Sequence, residues 1–176
     1  MQLESTVKTI RTARLELVPL SLPFVDALIR GDLTAAEREI GAGVSQWLAI
    51  ESTHLVQLHL ARHTADAAGL ETPGRAMVLV PPTGRRRVIG SIGFHGPPDE
   101  RGRLELGYAV DPAYRQQGYV AEAVTALFDW AATRYGVTRF LVLLGDRRHV
   151  RGRVTQDAPL VDAGPPPSSL VGPRPD

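Results

Sequence analysis

The stretch from Leu104 to Leu144 constrains the fold more than any other part of the chain. Leu104 to Val110 alternates apolar and polar residues as a half-buried strand does. A loop, DPAYRQQG, follows, and then a helix is predicted from Tyr119 to about Tyr135. Val120, Val124, Leu127, Phe128 and Ala131 share one face of it, with Glu122, Asp129 and Arg134 off that face. Gly136 is the natural stop. Val137 to Leu144 reads as a buried strand of the parallel type, apolar on both sides. Strand, helix and strand in this order call for a mixed sheet with a helix laid across it.

Upstream, Arg14 to Leu20 alternates as a short strand. Ser21 stands where an N-cap would, with Pro23 in the first turn, so a helix should run to about Arg30. Asp32 or Thr34 can cap a second helix over Ala35 to Ile40, ended by Gly41 and Gly43. Ser52 can open a third across Leu55, Leu58 and Ala61 to Ala68. Beyond Pro73 the period changes, and Ala76–Val80, Val88–Phe94 and Leu104–Val110 read as an antiparallel meander. These elements describe an α/β (α+β) domain with a mixed, mostly antiparallel sheet flanked by helices.

Composition narrows the chemistry. The 176 residues are 43% hydrophobic and 22% charged, which fits one globular domain able to bury a core. Cysteine is absent, so thiol nucleophiles, disulfides and Cys-based metal sites are excluded. A formal charge of +1 provides no global field for nucleic acid or anionic lipid, so any polyanion must be met locally. All basic residues but Lys8 are Arg, which is read as codon bias. No apolar run has the length of a secretory signal or a membrane span, and a cytoplasmic protein that engages neither membrane nor nucleic acid is expected.

The chemistry-bearing segment is the loop that runs into the long helix. Unpaired N–H groups in a first helical turn, with the positive end of the helix dipole, favour a phosphate. Gly118 lets the backbone approach an anion without a Cβ in the way, and Arg115 can add a charge-assisted bond. On these grounds alone the segment is equally well a plain strand-to-helix connection containing a glycine.

The words around it are more specific. Arg115-Gln116-Gln117-Gly118-Tyr119-Val120 resembles the Arg/Gln-x-x-Gly-x-Gly/Ala signature of the GNAT superfamily of N-acetyltransferases at the Arg and the first Gly. It departs at Val120, where the family has Gly or Ala, and at Gln116, where a further Gly is common. Glu105 to Tyr108, then Val-Asp-Pro-x-Tyr-Arg, then Gly-Tyr-x-x-Glu-Ala, together with the opening strand Arg14 to Leu20, are similar to the subgroup that includes the ribosomal-protein N-terminal acetyltransferases. The resemblance covers roughly residues 10 to 144. It implies acetyl transfer from acetyl-CoA to a primary amine, with no metal. It also implies that the pantetheine lies between two splayed strands, bonded by the backbone of Ala109 and Val110, and that the pyrophosphate is held by main-chain N–H groups of Arg115, Gln116, Gln117, Gly118, Tyr119, Val120 and Ala121.

The resemblance makes Glu105 the candidate general base, an ordinary solvated glutamate being the alternative. At pH 7 an α-amine is neutral in about one molecule in seven, against about one in 2,500 for lysine, so one water-relayed carboxylate suits a protein N-terminus better. A small-molecule amine, or a silent acyl-CoA binder, stays open, as does a homodimer. His95, at the end of its strand, and Trp47 are candidates for the acceptor side, with surface structure and packing as the alternatives. Arg85 to Arg87 read either as a phosphate-attracting cluster or as a solvated hairpin tip. His54, His59 and His63 lie on one predicted helix without the glutamate that a zinc protease needs, so no metal site is read there.

From Gly145 the character breaks. Residues 145–176 contain no Asn, Tyr or Phe and are rich in Arg, Pro and Gly. They are expected to form a disordered tail behind an incomplete GNAT domain at residues 1–144. The resemblance implies a further helix and strands here, including the residue that protonates the leaving thiolate, so the general acid is unassigned. GC-rich codons read out of frame would produce this composition, and a frameshift after about residue 144 is the hypothesis, tested by resequencing the gene.

Overall fold

The computed structural model of the chain describes residues 8–51, 56, 74–144 and 147–151. It begins with a hairpin of β1 (Ile10–Arg11) and β2 (Leu15–Pro19). Helix α1 (Leu22–Ile29) follows, its first turn closed by the Ser21 hydroxyl, which accepts from the Phe24 N–H at 3.3 Å. Asp32 plays the same part for α2 (Leu33–Ile40), accepting from Ala35 N–H at 3.0 Å, and Gly41 ends that helix at φ +66°. Two short elements come next that no periodicity announces, β3 (Gly43–Val44) and α3 (Gln46–Ile50), the latter capped by Ser45. The helix predicted over Leu55 to Ala68 lies outside the described residues.

The meander is present as β4 (Arg75–Leu79), β5 (Arg87–Phe94) and β6 (Arg103–Val110). A 3-10 turn at Pro112–Tyr114 leads to α4 (Tyr119–Tyr135), and then come β7 (Arg139–Leu144) and β8 (Arg147–Arg151). The described strands form one sheet in the order β1-β2-β4-β5-β6-β7-β8, with β3 added beside β5. Its pairs are antiparallel except β6 with β7 and β3 with β5. The α/β fold with a mostly antiparallel sheet is therefore the one expected from the sequence.

Each face of the sheet carries its own core. On one, Leu15, Leu17, Met77, Ile92, Phe94, Leu104 and Leu106 meet Val124, Leu127, Phe128 and Ala131 of α4. The Phe128 and Phe140 rings stack there at 3.8 Å between centroids. On the other, Ala76, Val78 and Val88 meet Phe24, Val25 and Leu28 of α1, Ala36 of α2 and Leu48 of α3. Each large apolar side chain so buried contributes about 1.5–3 kcal/mol.

Beyond Gly145, where the sequence has no period, the backbone of Arg147–Arg151 pairs with β7 from Phe140↔Arg151 to Leu144↔Arg147. Strand pairing draws on main-chain groups that every residue but proline carries, so an edge can form without alternation. No helix among the described residues is long and apolar enough to cross a membrane.

Candidate active site

Strands β6 and β7 run parallel and in register from Arg103↔Arg139 to Leu106↔Val142, and there their pairing ends. Strand β6 continues to Val110 against β5 alone, while Leu143 and Leu144 turn to β8. The far half of β6 thus has an edge with no strand partner among the described residues. Which main-chain groups face it follows from the ladder, because alternate residues of a strand point their N–H and C=O to the same side. Glu105 C=O accepts from His95 N–H at 2.8 Å and Asp111 N–H donates to Ile89 C=O at 2.9 Å, both toward β5. Ala109 lies in phase with them, and a Cβ on Gly90 would stand 2.2 Å from its carbonyl oxygen. Tyr108 and Val110 are out of phase and face the open edge. Of the two strand residues expected to meet a pantetheine, Val110 is on that edge and Ala109 is turned into the sheet. Tyr108 shares the Val110 side of the strand.

The open edge runs into the exposed loop and the start of α4. Asp111 pins the turn, its carboxylate accepting from Ala113 N–H at 3.0 Å and from the Ser45 hydroxyl at 2.9 Å. Arg115 folds back, its Nε donating to Val110 C=O at 2.9 Å. Gln116 has φ +59° and Gly118 φ +79°, so the chain twice enters the left-handed region just before the helix. Gly118 is the N-cap and no side chain caps the helix. The first helical bond is Glu122 N–H to Gly118 C=O at 3.1 Å, so the amides of Tyr119, Val120 and Ala121 precede every intrahelical acceptor. Successive N–H groups in left- and right-handed conformations make an anion-binding concavity, strengthened by the dipole of the 17-residue helix behind it. The Val120 side chain packs against the α4 core, as does Tyr119.

A brace behind the loop escaped the sequence reading. Arg14 donates from Nε to Glu122 at 2.7 Å and from Nη1 to the Gln117 carbonyl at 2.9 Å, and its guanidinium lies 4.4 Å from the Tyr119 ring centroid. Glu122 also accepts from Thr12 Oγ1 at 2.5 Å and from Arg14 N–H at 2.7 Å. Burial opposes the ionisation of Glu122, but these donors outweigh it and hold the carboxyl below its usual range. Helical periodicity put Glu122 merely off the apolar face. Both partners nevertheless belong to the motif words, Arg14 opening the stretch Arg14 to Leu20 and Glu122 in Gly-Tyr-x-x-Glu-Ala.

Glu105 is half-buried on the face of β6 opposite Leu104 and Leu106, the face that carries α1 to α3. The structure brings it together with His95, whose Nδ1 lies 3.5 Å from Glu105 Oε1. Trp47, half-buried on α3, packs against the core on this same face. Arg85 and Arg86 do not cluster toward the loop. Arg85 pairs with Glu37 at 2.8 Å, and Arg86 pairs with Glu16 and reaches the Gly41 carbonyl. These bonds tie the hairpin tip to α2 and β2. The Val44 N–H, and after it Arg85, hold the Glu37 carboxyl below its usual range. His54, His59 and His63 lie outside the described residues, among which no group of three or more His, Asp or Glu side chains is arranged to hold a metal.

Residues 14–151 match the acetyltransferase (GNAT) domain family. The uncharacterized N-acetyltransferase YjdG of Bacillus subtilis (strain 168) is 28% identical over 134 residues, which cover 74% of this chain and 76% of YjdG. Two solved structures share the fold. A Vibrio cholerae protein provisionally named a ribosomal-protein-serine acetyltransferase has a TM-score of 0.50 and 21% identity, over 79% of this chain and 75% of its own. A Bordetella pertussis protein, provisionally assigned to the same acetyltransferase family, has a TM-score of 0.50 and 23% identity, over 80% of each chain. Because the family match runs from β2 through the loop to β8, the chain belongs to the acetyltransferase (GNAT) domain family, whose members take their acetyl group from acetyl-CoA.

Proposed function

We propose that this chain transfers the acetyl group of acetyl-CoA to the N-terminal amine of a protein in the cytoplasm, with Glu105 as the proton acceptor. The observation that carries the reading is the end of the β6–β7 pairing at Leu106↔Val142, beyond which β6 has no second strand beside it among the described residues and leads directly into the start of α4, where no side chain caps the helix. An extended pantetheine would add along that edge at Tyr108 and Val110. The diphosphate would rest on the amides of Tyr119, Val120 and Ala121, with Arg115 beside them. Glu105 precedes this edge on the same strand, so a carboxylate and a thioester would stand at neighbouring points of one rigid element.

In the reaction the ammonium of the acceptor gives one proton to Glu105 through a water, and the free amine attacks the thioester carbon. The C–N bond forms, the C–S bond breaks, and the second nitrogen proton ends on the departing sulfur. Glu105 returns its proton to solvent. No protein nucleophile is required, which agrees with the absence of cysteine. The acceptor class rests on proton energetics: about one α-amine in seven is already neutral at pH 7, so a single half-buried carboxylate suffices, whereas lysine would need a far stronger base. The provisional name of the Vibrio cholerae protein, a ribosomal-protein-serine acetyltransferase, names a protein acceptor, which supports a protein over a small amine.

Calorimetry with acetyl-CoA, followed by turnover on panels of peptides and small amines, tests the reading. Binding in the micromolar range is expected, with acetylation of peptide N-termini over lysine side chains and polyamines. Arg115→Glu is expected to weaken acetyl-CoA about tenfold, since it places a like charge beside the diphosphate and removes the bond to Val110. Zero heat with acetyl-CoA would sink the assignment of the loop, and preferred turnover of a small amine would sink the acceptor class.

A further inference from the structure

We propose that His95 is a positioning residue for Glu105. This rests on the reading of Glu105 as the proton acceptor. The two residues face each other across the β5–β6 hairpin, fixed there by the 2.8 Å bond from His95 N–H to Glu105 C=O. Their side chains converge on the same sheet face, Nδ1 at 3.5 Å from Oε1. An ionised carboxylate only accepts hydrogen bonds, so in the bond proposed between them Nδ1 is the donor.

Among the described residues, the surroundings leave His95 as the polar side chain for this task. On the same face of β6, Gly107 follows Glu105, and Gly93 stands opposite Gly107 on β5, so no side chain reaches over from either. Arg103, two residues before Glu105, is drawn away by Asp99, which takes both its Nε and its Nη2 at 2.7 Å. The residue paired with Glu105 on β7 is the apolar Leu141. Among the described residues, the neighbours of Glu105 on this face other than His95 are thus glycines, an apolar residue and an arginine held elsewhere. Holding Oε1 with His95 leaves one rotamer, in which Oε2 points to the amine or its water. Such contacts are commonly long before substrate binds and tighten in the reactive complex.

The test is steady-state kinetics with a peptide acceptor, and acetyl-CoA calorimetry, on Glu105→Gln, His95→Ala, His95→Asn, His95→Gln and the double variant E105Q/H95A. Glu105→Gln is expected to lower kcat by about 100-fold, the scale of a lost general base. His95→Ala is expected to lower kcat about tenfold while the acetyl-CoA Kd and the acceptor KM stay within about twofold, because only the carboxylate's orientation is lost. His95→Asn keeps an N–H donor near the Nδ1 position and should recover to within about threefold of the wild type. His95→Gln fills the site but carries its donor farther out, so it should resemble His95→Ala and provides the comparison if the alanine variant does not fold. In the Glu105→Gln background, His95→Ala should add less than about twofold, as expected for two groups acting as one unit. Unchanged kcat in His95→Ala or His95→Gln, or an equal loss with and without Glu105, would overturn the proposal and leave Glu105 as the base. Full activity in Glu105→Gln with acetyl-CoA still bound would overturn both.

Discussion

Gln116 occupies a backbone conformation that suits it poorly. At φ +59° it is the one non-glycine residue among those described that lies in the left-handed region, where a Cβ costs about 1–2 kcal/mol. The sequence already marked this position as one where the family commonly places glycine. Removing the side chain relieves that strain, but it frees the unfolded chain by about 0.4–1 kcal/mol. The first effect is the larger, so Gln116→Gly should stabilise the protein by up to about 1 kcal/mol and raise Tm by about 2–4 °C in a thermal melt. The acetyl-CoA Kd should stay the same or tighten, because the amide keeps its direction. A fall in Tm would mean that the Gln116 side chain makes a compensating contact. Val120, the other departure, is settled by packing: its side chain joins the α4 core, and its N–H is left to the loop. The motif spelling exposed both departures. Only the surroundings decide that one is strained and the other absorbed.

At the scale of elements, strands and helices with enough residues to show a period were legible. The Tyr119–Tyr135 helix coincides with its apolar stripe and terminal glycine, and the meander strands begin within a residue or so of their predicted starts. Strand β3 and helix α3 were not, since two and five residues cannot display a period, and both are held by tertiary bonds such as Ser45 to Asp111. A strand irregularity was equally hidden. The register of β4 against β5 shifts between Met77 and Val78, and close by Gly90 admits the Ala109 carbonyl so closely that a Cβ would lie 2.2 Å from it. Gly90→Ala must therefore displace backbone at the far end of β6, where the open edge begins. The expected result is a loss of about 2–4 kcal/mol in denaturant unfolding and weakened acetyl-CoA binding. Wild-type stability in that variant would show that β5 and β6 can separate without cost.

Across the whole molecule, the feature that most departs from an apolar interior is Arg75, fully buried beneath α4. Its Nη1 donates to the carbonyls of Lys8 and Leu17 at 2.9 and 3.1 Å, and its guanidinium lies 4.9 Å from the Trp130 ring centroid. Nε and Nη2 have no hydrogen-bond partner among the described residues. Burial, partly offset by Tyr135, lowers its pKa to about 10. A base whose folded pKa lies below its unfolded value disfavours folding while charged, and that cost is fully present below pH 10 and fades as pH rises above it. Arg75→Met should thus leave Tm at pH 7 unchanged or higher, since replacing an imperfectly paired buried charge with an apolar side chain is often neutral or stabilising. A large fall in Tm would show that the two carbonyl bonds and the Trp130 contact outweigh the desolvation. The sequence by itself determined the order and kind of the longer elements, the glycine at the helix start and the chemistry that absent cysteine forbids, because periodicity, chain stops and side-chain chemistry are local properties. What only the tertiary structure decided is where β6 and β7 part, that Arg14 and Glu122 brace the loop, and that His95 meets Glu105. Each depends on the register of strands or on contacts between residues far apart in the chain, and register is set by how whole faces pack, which no local window of residues contains.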